Sequence, residues 1–247
     1  MKKISAIIIT FNEEKNIKEC LENLEWCNEI VIVDSYSEDK TLEIAKKFKT
    51  KIYQKKWMGY GKQKNYALSK ATNQWVLVLD ADERLEPRLK KEIKNVIKRT
   101  DKAGFLIPRK NFIFNKFLRF GGAFPDYQLR LFRKDKGKFD NAPVHENVLI
   151  KGEVGKLKNM IIHKGVLSIN LRVKTINERT NLEVKKKKYR FSYFNFFLRP
   201  LFRFLYHFIL KAGFLEGVHG LYYSYERAMY EFLRQAKLWE EKRKKEK

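Results

Sequence analysis

Trp75-Val-Leu-Val-Leu-Asp-Ala-Asp-Glu83 is the stretch that decides the fold. Trp75 to Leu79 are apolar without a break, and then Asp80, Asp82 and Glu83 arrive together. A short apolar run bounded by polar residues reads as a strand buried on both faces. The acids fall just past its carboxyl end, the rim where ligands bind in open α/β sheets. Two Asp separated by one small residue suit a hard divalent cation, which takes oxygen ligands; such a cation would hold a diphosphate. The competing reading is a solvated turn capping the next helix. Glu86-Pro87 follows, and acids and proline both suit a first helical turn.

The residues on either side repeat this pattern. Ile4 to Thr10 reads as a buried strand, followed by Asn12-Glu13-Glu14 and an amphipathic helix carrying Ile17, Leu21 and Leu24. Glu29-Ile-Val-Ile-Val-Asp34 is a second strand that also ends in a carboxylate. Asp39 is placed to cap a helix through Leu42, Ile44, Ala45 and Phe48. Lys51 to Gln54 reads as a third strand, Lys62 to Lys70 as a helix, and Trp75 to Asp80 as the fourth strand. Strands alternating with helices at this spacing predict an α/β fold with a mainly parallel sheet. Asp34 and Asp80 then share one rim, which makes a polar pocket there the better reading. No Gly-x-Gly-x-x-Gly follows the first strand and no P-loop is present, so a nucleotide would be held through carboxylates and a metal.

After the charged helix from Pro87 to Arg99 the texture changes to short strands: Phe105 to Ile107, Tyr127 to Arg133, Val148 to Val154 and Met160 to His163. A polar loop, Asn141-Ala-Pro-Val-His-Glu146, lies among them. The pattern predicts a catalytic domain over residues 1–165 and a helical, basic extension over 166–247. Within that extension Arg199, Arg203, His207 and Lys211 recur every fourth residue, with Phe202, Phe204 and other apolar residues between them. Pro200 is placed to open this helix. Such a segment is too charged to span a membrane and too apolar for a free surface. The expectation is a helix in the membrane interface, its basic stripe on headgroup phosphates; a buried helix or a dimer contact is the alternative.

The composition agrees with an anionic partner. Lys and Arg number 54 against 29 Asp and Glu, a formal charge of +25. Cys20 and Cys27 stand without a second pair, which argues against a zinc site or a disulfide framework. The opening residues read as a strand, not a signal peptide. A nucleic-acid-binding protein is the rival class, but it leaves Asp34, Asp80 and Asp82 unexplained, so no nucleic-acid partner is expected.

Read together, these motifs resemble a known family. Ile9-Thr-Phe-Asn-Glu13, Val33-Asp-Ser-Tyr-Ser-Glu-Asp-Lys-Thr41, Gly61-Lys-Gln-Lys-Asn-Tyr-Ala67 and Asp80-Ala-Asp-Glu83 look like family 2 glycosyltransferases of the GT-A fold. Pro125-Asp-Tyr-Gln-Leu-Arg-Leu-Phe-Arg133, Pro143-Val-His-Glu146, Gly213-Phe-Leu-Glu-Gly217 and Ala236-Lys-Leu-Trp-Glu240 are similar to the bacterial branch that glucosylates the lipopolysaccharide inner core. The resemblance implies a UDP-sugar donor, a divalent Mg²⁺ or Mn²⁺, and a single inverting displacement. It places Thr10 and Glu13 along the nucleotide, Asp34 at the base, Asp80 near the ribose and phosphate, and Asp82 on the metal. Asn65 goes with the nucleotide-sugar. Independently of the resemblance, Lys62, Gln63 and Lys64 open a helix after a Gly-rich loop and are candidates for the donor phosphates, since helix N-termini favour anions; the alternative is ordinary solvated helix polarity. Glu146 falls where the family has its base, although many members carry an Asp preceded by another acid, and here His145 precedes a Glu. His163 is read either as a structural histidine or as a metal contact, as in some related enzymes. Arg130, Arg133 and His145 are candidates for acceptor or phosphate contact.

The acceptor implied is a membrane glycolipid, foremost lipopolysaccharide core, with a polyprenyl phosphate as the alternative. The place implied is the inner face of a bacterial cytoplasmic membrane, with the enzyme peripheral on its anionic surface.

Overall fold

The computed structural model of the chain describes residues 2–140, 146–165, 168–185 and 190–245. In chain order the elements are β1 (Ile4–Thr10), α1 (Ile17–Leu24), β2 (Glu29–Asp34), α2 (Thr41–Ala45), β3 (Lys51–Gln54), α3 (Tyr60–Lys70), β4 (Trp75–Val78) and β5 (Glu83–Leu85). There follow α4 (Pro87–Arg99), β6 (Gly104–Ile113), β7 (Lys116–Phe117), β8 (Asp126–Arg133), β9 (Gly137–Phe139), β10 (Val148–Ile150), β11 (Val154–Lys156) and β12 (Ile161–His163). The helices α5 (Ile169–Lys185), α6 (Tyr193–Leu205) and α7 (Val218–Lys245) complete the chain, with a π turn at Tyr206–Leu210 and a 3₁₀ turn at Gly213–Glu216.

These elements form two compact units. One holds residues 1–109 and 126–163, the other 110–125 and 164–247. Residues 110–125, which a single cut near 165 leaves with the first domain, therefore group with the carboxyl-terminal helices.

The first unit is built on a sheet ordered β3-β2-β1-β4-β8-β6-β12-β5, with β11 beside β6. Its strands β3, β2, β1 and β4 are parallel, and β8 joins β4 antiparallel. Period-two burial explains why these residues are strands. Ile4, Ala6 and Ile8 of β1, Ile30 and Ile32 of β2, and Trp75 and Leu77 of β4 pack on one face with α1, α2 and α4. Ile7, Val31, Val33, Val76 and Val78 face the other way, against Ala67 and Leu68 of α3. Each such side chain contributes about 1.5–3 kcal/mol on burial, so the strand ends sit on a rigid platform. The helices obey the 3.6-residue period: α1 buries Ile17, Cys20, Leu21 and Leu24, and α4, opened by Pro87, buries Leu89, Ile93 and Ile97.

Three strand expectations are corrected. The strand expected over Val148–Val154 divides into β10, antiparallel to β9, and β11, parallel to β6. The fourth strand stops at Val78 instead of Asp80, because the Glu83 N–H donates to the Asp80 carbonyl at 2.9 Å and closes a turn. The strand expected at Phe105–Ile107 runs from Gly104 to Ile113, with Pro108 opposite Tyr127. The proline removes a ladder donor without ending the strand.

In the second unit, α6 begins at Tyr193, so Pro200 lies inside the helix and does not open it. The Ser192 hydroxyl accepts the Asn195 N–H at the true start. The Arg199 and Arg203 guanidiniums turn inward to Glu231, at 3.0 and 3.4 Å. His207 is buried, its Nδ1 2.7 Å from the Gly121 carbonyl oxygen, and Lys211 is exposed. The stripe is thus tied to the unit's own residues at Arg199, Arg203 and His207, with both arginines half-exposed, while Phe202 is exposed and the Phe204 ring lies 4.6 Å from that of Tyr225. Gly213 and Gly220 let two backbones touch: a Cβ on Gly220 would fall 1.8 Å from the Gly213 carbonyl oxygen. Among the described residues no helix is long and apolar enough to cross a membrane.

One buried carboxylate ties the lower end of the first unit's sheet. Glu29 accepts from the Ser5 hydroxyl, from Lys51 at 2.7 Å and from the Thr72 N–H at 2.8 Å. Burial raises its pKa, but the Lys51 ammonium and the Ser5 and Thr72 hydrogen bonds outweigh it and bring it down to about 2 from 4.5. The folded-state value is depressed, so the stabilisation is complete above the unfolded pKa and disappears as pH falls toward the folded one. Glu29→Gln is expected to cost about 2–3 kcal/mol at pH 7, measured by urea unfolding. The difference from wild type should shrink steadily below about pH 4.5; a difference independent of pH would contradict this assignment.

Candidate active site

The loops that leave β1 and β2 are laced together at the carboxyl rim of the sheet. Thr10 pairs with Asp34 in the strand register, and its hydroxyl donates to Asp34 Oδ1 at 2.9 Å. The Ser37 N–H donates to Asp34 Oδ2 at 2.8 Å. Asp34 is fully buried, so it shapes the 35–37 turn from behind. The Asn12 N–H donates to Ser37 Oγ at 2.9 Å, and Asn12 Oδ1 accepts the Glu38 N–H at 2.9 Å. Asn12 and Tyr36 hold φ of 55° and 62°, in the left-handed region. Such backbone persists only where surrounding bonds over-determine it, and it concentrates at functional sites. Asp39 accepts the Thr41 N–H at 2.9 Å and the Glu14 N–H at 3.0 Å, but it lies one residue before the N-cap of α2, Lys40, which has no side-chain cap bond. Phe11 and Tyr36 stand exposed beside these turns; strand-end aromatics carry no periodic signal, and the sequence reading passed over them. Glu13 is half-buried and takes the Asn16 amide at 2.8 Å. Burial raises its pKa, the Asn16 bond lowers it, and Asp82, Asp80 and Asp39 raise it further, for a net upward shift.

The 80–83 turn carries the densest charge. Glu83 is fully buried. Its Oε2 accepts the Asp80 N–H at 3.0 Å, and its Oε1 accepts from Arg130 at 2.8 Å and Arg109 at 3.1 Å. The same Arg130 nitrogen donates to Asp80 Oδ2 at 2.7 Å, and Arg109 reaches on to Asp126 at 2.6 Å. On the far side of Asp80, Lys64 lies 3.1 Å from Oδ1 and donates to Glu146 Oε1 at 2.7 Å. Burial alone would raise the Asp80 pKa, yet Arg130 and Lys64 prevail and hold it well below the usual carboxylate range. Burial also opposes the charge on Arg130, but Asp80 and Glu83 more than offset it, so its pKa rises.

Asp82 stands apart from this network. The β12 strand pairs antiparallel with β5 and sets His163 opposite Glu83, which brings His163 Nε2 to 3.0 Å from Asp82 Oδ2. Burial raises the Asp82 pKa, but the bond to His163 outweighs it and the net shift is downward. Burial lowers the His163 pKa, and the Asp82 bond reverses that into a net rise.

The remaining sequence candidates fall into two groups. Arg130 is at the rim, but Arg133 is not. In the antiparallel register Arg133 lies opposite Trp75, at the start of β4, and pairs with Asp135 at 3.4 Å. Lys62 is exposed, whereas Lys64 is buried. Asn65 exchanges two hydrogen bonds of 2.9 Å with the Phe139 backbone, which ties α3 to β9. His145 lies outside the described residues. The rings of Trp57 and Tyr60 meet edge to face at 4.7 Å. Arg109 and Asp126 were the network members without an assigned role in the sequence; Lys64 was expected with Lys62 and Gln63 toward donor phosphates, and instead pairs with Asp80 and Glu146. That pairing had a signal: Lys64 shares a helical stripe with Gly61, Ala67 and Leu68, all buried. An ionisable group on an apolar face requires charged partners. Arg109 and Asp126 meet only through strand pairing, which no local pattern records.

The family model described as Glycosyl transferase family 2 matches residues 5–148. The lipopolysaccharide core biosynthesis glycosyltransferase LpsC of Rhizobium meliloti is 30% identical over 255 residues, spanning 96% of this chain and 92% of LpsC. An uncharacterized glycosyltransferase of Rickettsia typhi is 31% identical over 256 residues, spanning 97% of this chain and 88% of that protein. Among solved structures, Staphylococcus aureus TarS 1-349 in complex with UDP superposes with a TM-score of 0.50 at 19% identity, over 87% of this chain and 75% of TarS 1-349; that likeness concerns the fold. The family match and the relatives aligned over most of their own length agree: this chain is a glycosyltransferase and belongs to glycosyl transferase family 2.

Proposed function

We propose that the chain transfers a sugar, foremost glucose, from a UDP-sugar to a hydroxyl of a membrane glycolipid, with lipopolysaccharide core as the leading acceptor. The observation that carries this reading is the division of labour on one rim: a carboxylate–imidazole pair at Asp82 and His163, beside a Lys64–Glu146 pair. UDP is the donor of choice because the fold is shared with a protein whose structure contains UDP. The acceptor follows from the kinship with LpsC and from the basic charge, which suits a phosphorylated glycolipid on an anionic leaflet.

Asp82 and His163 fit a divalent metal. Neighbouring ligands of an octahedral ion with bonds of about 2.1 Å are separated by about 3 Å, and the Asp82 and His163 donor atoms are 3.0 Å apart. Among the described residues no cluster of three or more His, Cys, Asp or Glu is placed to hold an ion, so the remaining ligands would come from the diphosphate and water. Mg²⁺ or Mn²⁺ held there would supply Lewis-acid stabilisation of the leaving diphosphate.

The chain's own groups then have distinct tasks. Thr10, Glu13 and the turn fixed by Asp34 frame the nucleoside, with Phe11 and Tyr36 free to pack on its flat faces. Asp80, anchored by Arg130, holds Lys64 in place. Lys64 keeps the Glu146 carboxylate in one position, and Glu146 takes the proton from the acceptor hydroxyl as its oxygen attacks the anomeric carbon. The glycosidic electron pair leaves on the diphosphate, and one displacement inverts the centre.

Calorimetric titration of UDP in the presence of Mn²⁺ tests the donor half. Wild type is expected to bind UDP only with metal, and Asp82→Ala to lose that binding with its thermal unfolding unchanged. Metal-independent binding in both proteins would remove the assignment of Asp82. Glu146→Gln is expected to lower kcat by roughly 10²–10⁴-fold while UDP affinity stays within a few-fold. Transfer at the wild-type rate would exclude Glu146 as the base.

A further inference from the structure

The exposed residues of α6 carry one polar side-chain group, the Tyr193 hydroxyl. These residues are Tyr193, Phe194, Phe197, Leu198, Leu201 and Phe202. They recur at steps of three and four and so form one continuous stripe. Its opposite side is engaged within the same unit: Phe196 packs on Phe232 at 5.2 Å, and Arg199 and Arg203 bind Glu231. The helix therefore turns its aromatics outward and ties its half-exposed cations, Arg199 and Arg203, to Glu231. The apolar surface continues past it through Ile209, Leu210, Phe214, Leu215 and Val218, each more than half exposed. At about half of a large side chain each, these residues expose on the order of 1,000 Å², against the few hundred typical of a monomer's largest patch.

From this surface we infer that the α6 face inserts into an anionic lipid bilayer. Three observations select lipid over protein. A protein interface of this size carries several hydrogen bonds and a polar rim, and the α6 stripe offers no side-chain donor or acceptor beyond the Tyr193 hydroxyl. A second copy of the chain would bring another +25 of formal charge against the first, which opposes association. The local charge also has one sign: between Glu183 and Glu216 the chain holds eight Lys and Arg and no Asp or Glu. Of these, Lys185, Arg190 and Lys211 are exposed. Each such cation near an anionic leaflet adds about 1 kcal/mol, and buried apolar area supplies the rest. The inserting element is thus the aromatic side of α6. Headgroup contacts fall to Lys185, Arg190 and Lys211, while Arg199 and Arg203 hold the helix to α7.

The inference concerns the second unit alone and stands apart from the UDP chemistry, which lets the two fail separately. The test is flotation of the full chain with vesicles of phosphatidylethanolamine and phosphatidylglycerol, beside UDP calorimetry on the same samples. Wild type is expected to float, and the double variant Phe197→Glu, Phe202→Glu to bind vesicles at least about tenfold more weakly while retaining UDP binding. A second readout does not depend on that variant's folding. A polarity-sensitive thiol dye on Leu201→Cys should shift to the blue with vesicles, and one on Lys47→Cys should not. The native thiols do not compete, because burial pushes both Cys20 and Cys27 up to about 12. Wild type that stays out of the lipid fraction, an unshifted dye at residue 201, or sedimentation showing a dimer that the double variant abolishes would each overturn the inference. Flotation without UDP uptake would leave it standing and remove the donor reading.

Discussion

The Glu83 carboxylate is shut off from solvent, and the rim is arranged around it. A buried charge is tolerated only with partners that replace water. Glu83 has three: the Asp80 N–H and the guanidiniums of Arg109 and Arg130. Removing one partner from a buried pair of this kind typically costs about 3–5 kcal/mol, so these positions are not independent. The bond to the Asp80 N–H fixes the turn, and the bond to Arg130 fixes the cation that Asp80 then uses. The arginines are supplied by two strands, β6 and β8, that pair antiparallel with each other.

The two aspartates of the turn are made unlike by this arrangement. Asp80 is spent on Arg130 and Lys64, and its charge is locked in by them. Asp82 has no described ion pair with the guanidiniums and meets His163 among the side-chain partners described. A group with a single neutralisable partner can accept an ion at little cost, whereas one held by two permanent cations cannot. That contrast is why the proposed metal belongs to Asp82, and why Asp80 acts through Lys64. Lys64 in turn links the rim to Glu146, which lies far along the chain, through one side chain on the buried stripe of α3.

Much of this was legible in the sequence, for a simple reason. Strands buried on both faces are unbroken apolar runs, and a carboxylate at the end of each marks a rim. The strands β1 to β4, the helices between them and the shared rim of Asp34 and Asp80 follow from that pattern. What stayed hidden depends on pairing partners far apart in the chain. Arg130 and Arg133 look equivalent until the antiparallel register with β4 puts Arg133 opposite Trp75, at the start of that strand, while Arg130 reaches Asp80 and Glu83. Lys62 and Lys64 look equivalent until the helix turns one outward and the other onto the apolar stripe. The spacing of Arg199, Arg203 and His207 located a real stripe but not its direction. Periodicity identifies two faces of a helix; the charge of the neighbour, here Glu231, decides which of them is tied to the unit.

The central claim is that Asp82, not Asp80, receives the metal that carries the donor. Anomalous diffraction at the manganese edge from crystals soaked with Mn²⁺ and UDP addresses it directly. The account predicts one strong peak about 2.1 Å from an Asp82 oxygen, with the UDP diphosphate on its other side and Asp80 still bound to Arg130. A peak on Asp80 with Arg130 displaced, or UDP ordered without any peak at the rim, would contradict it.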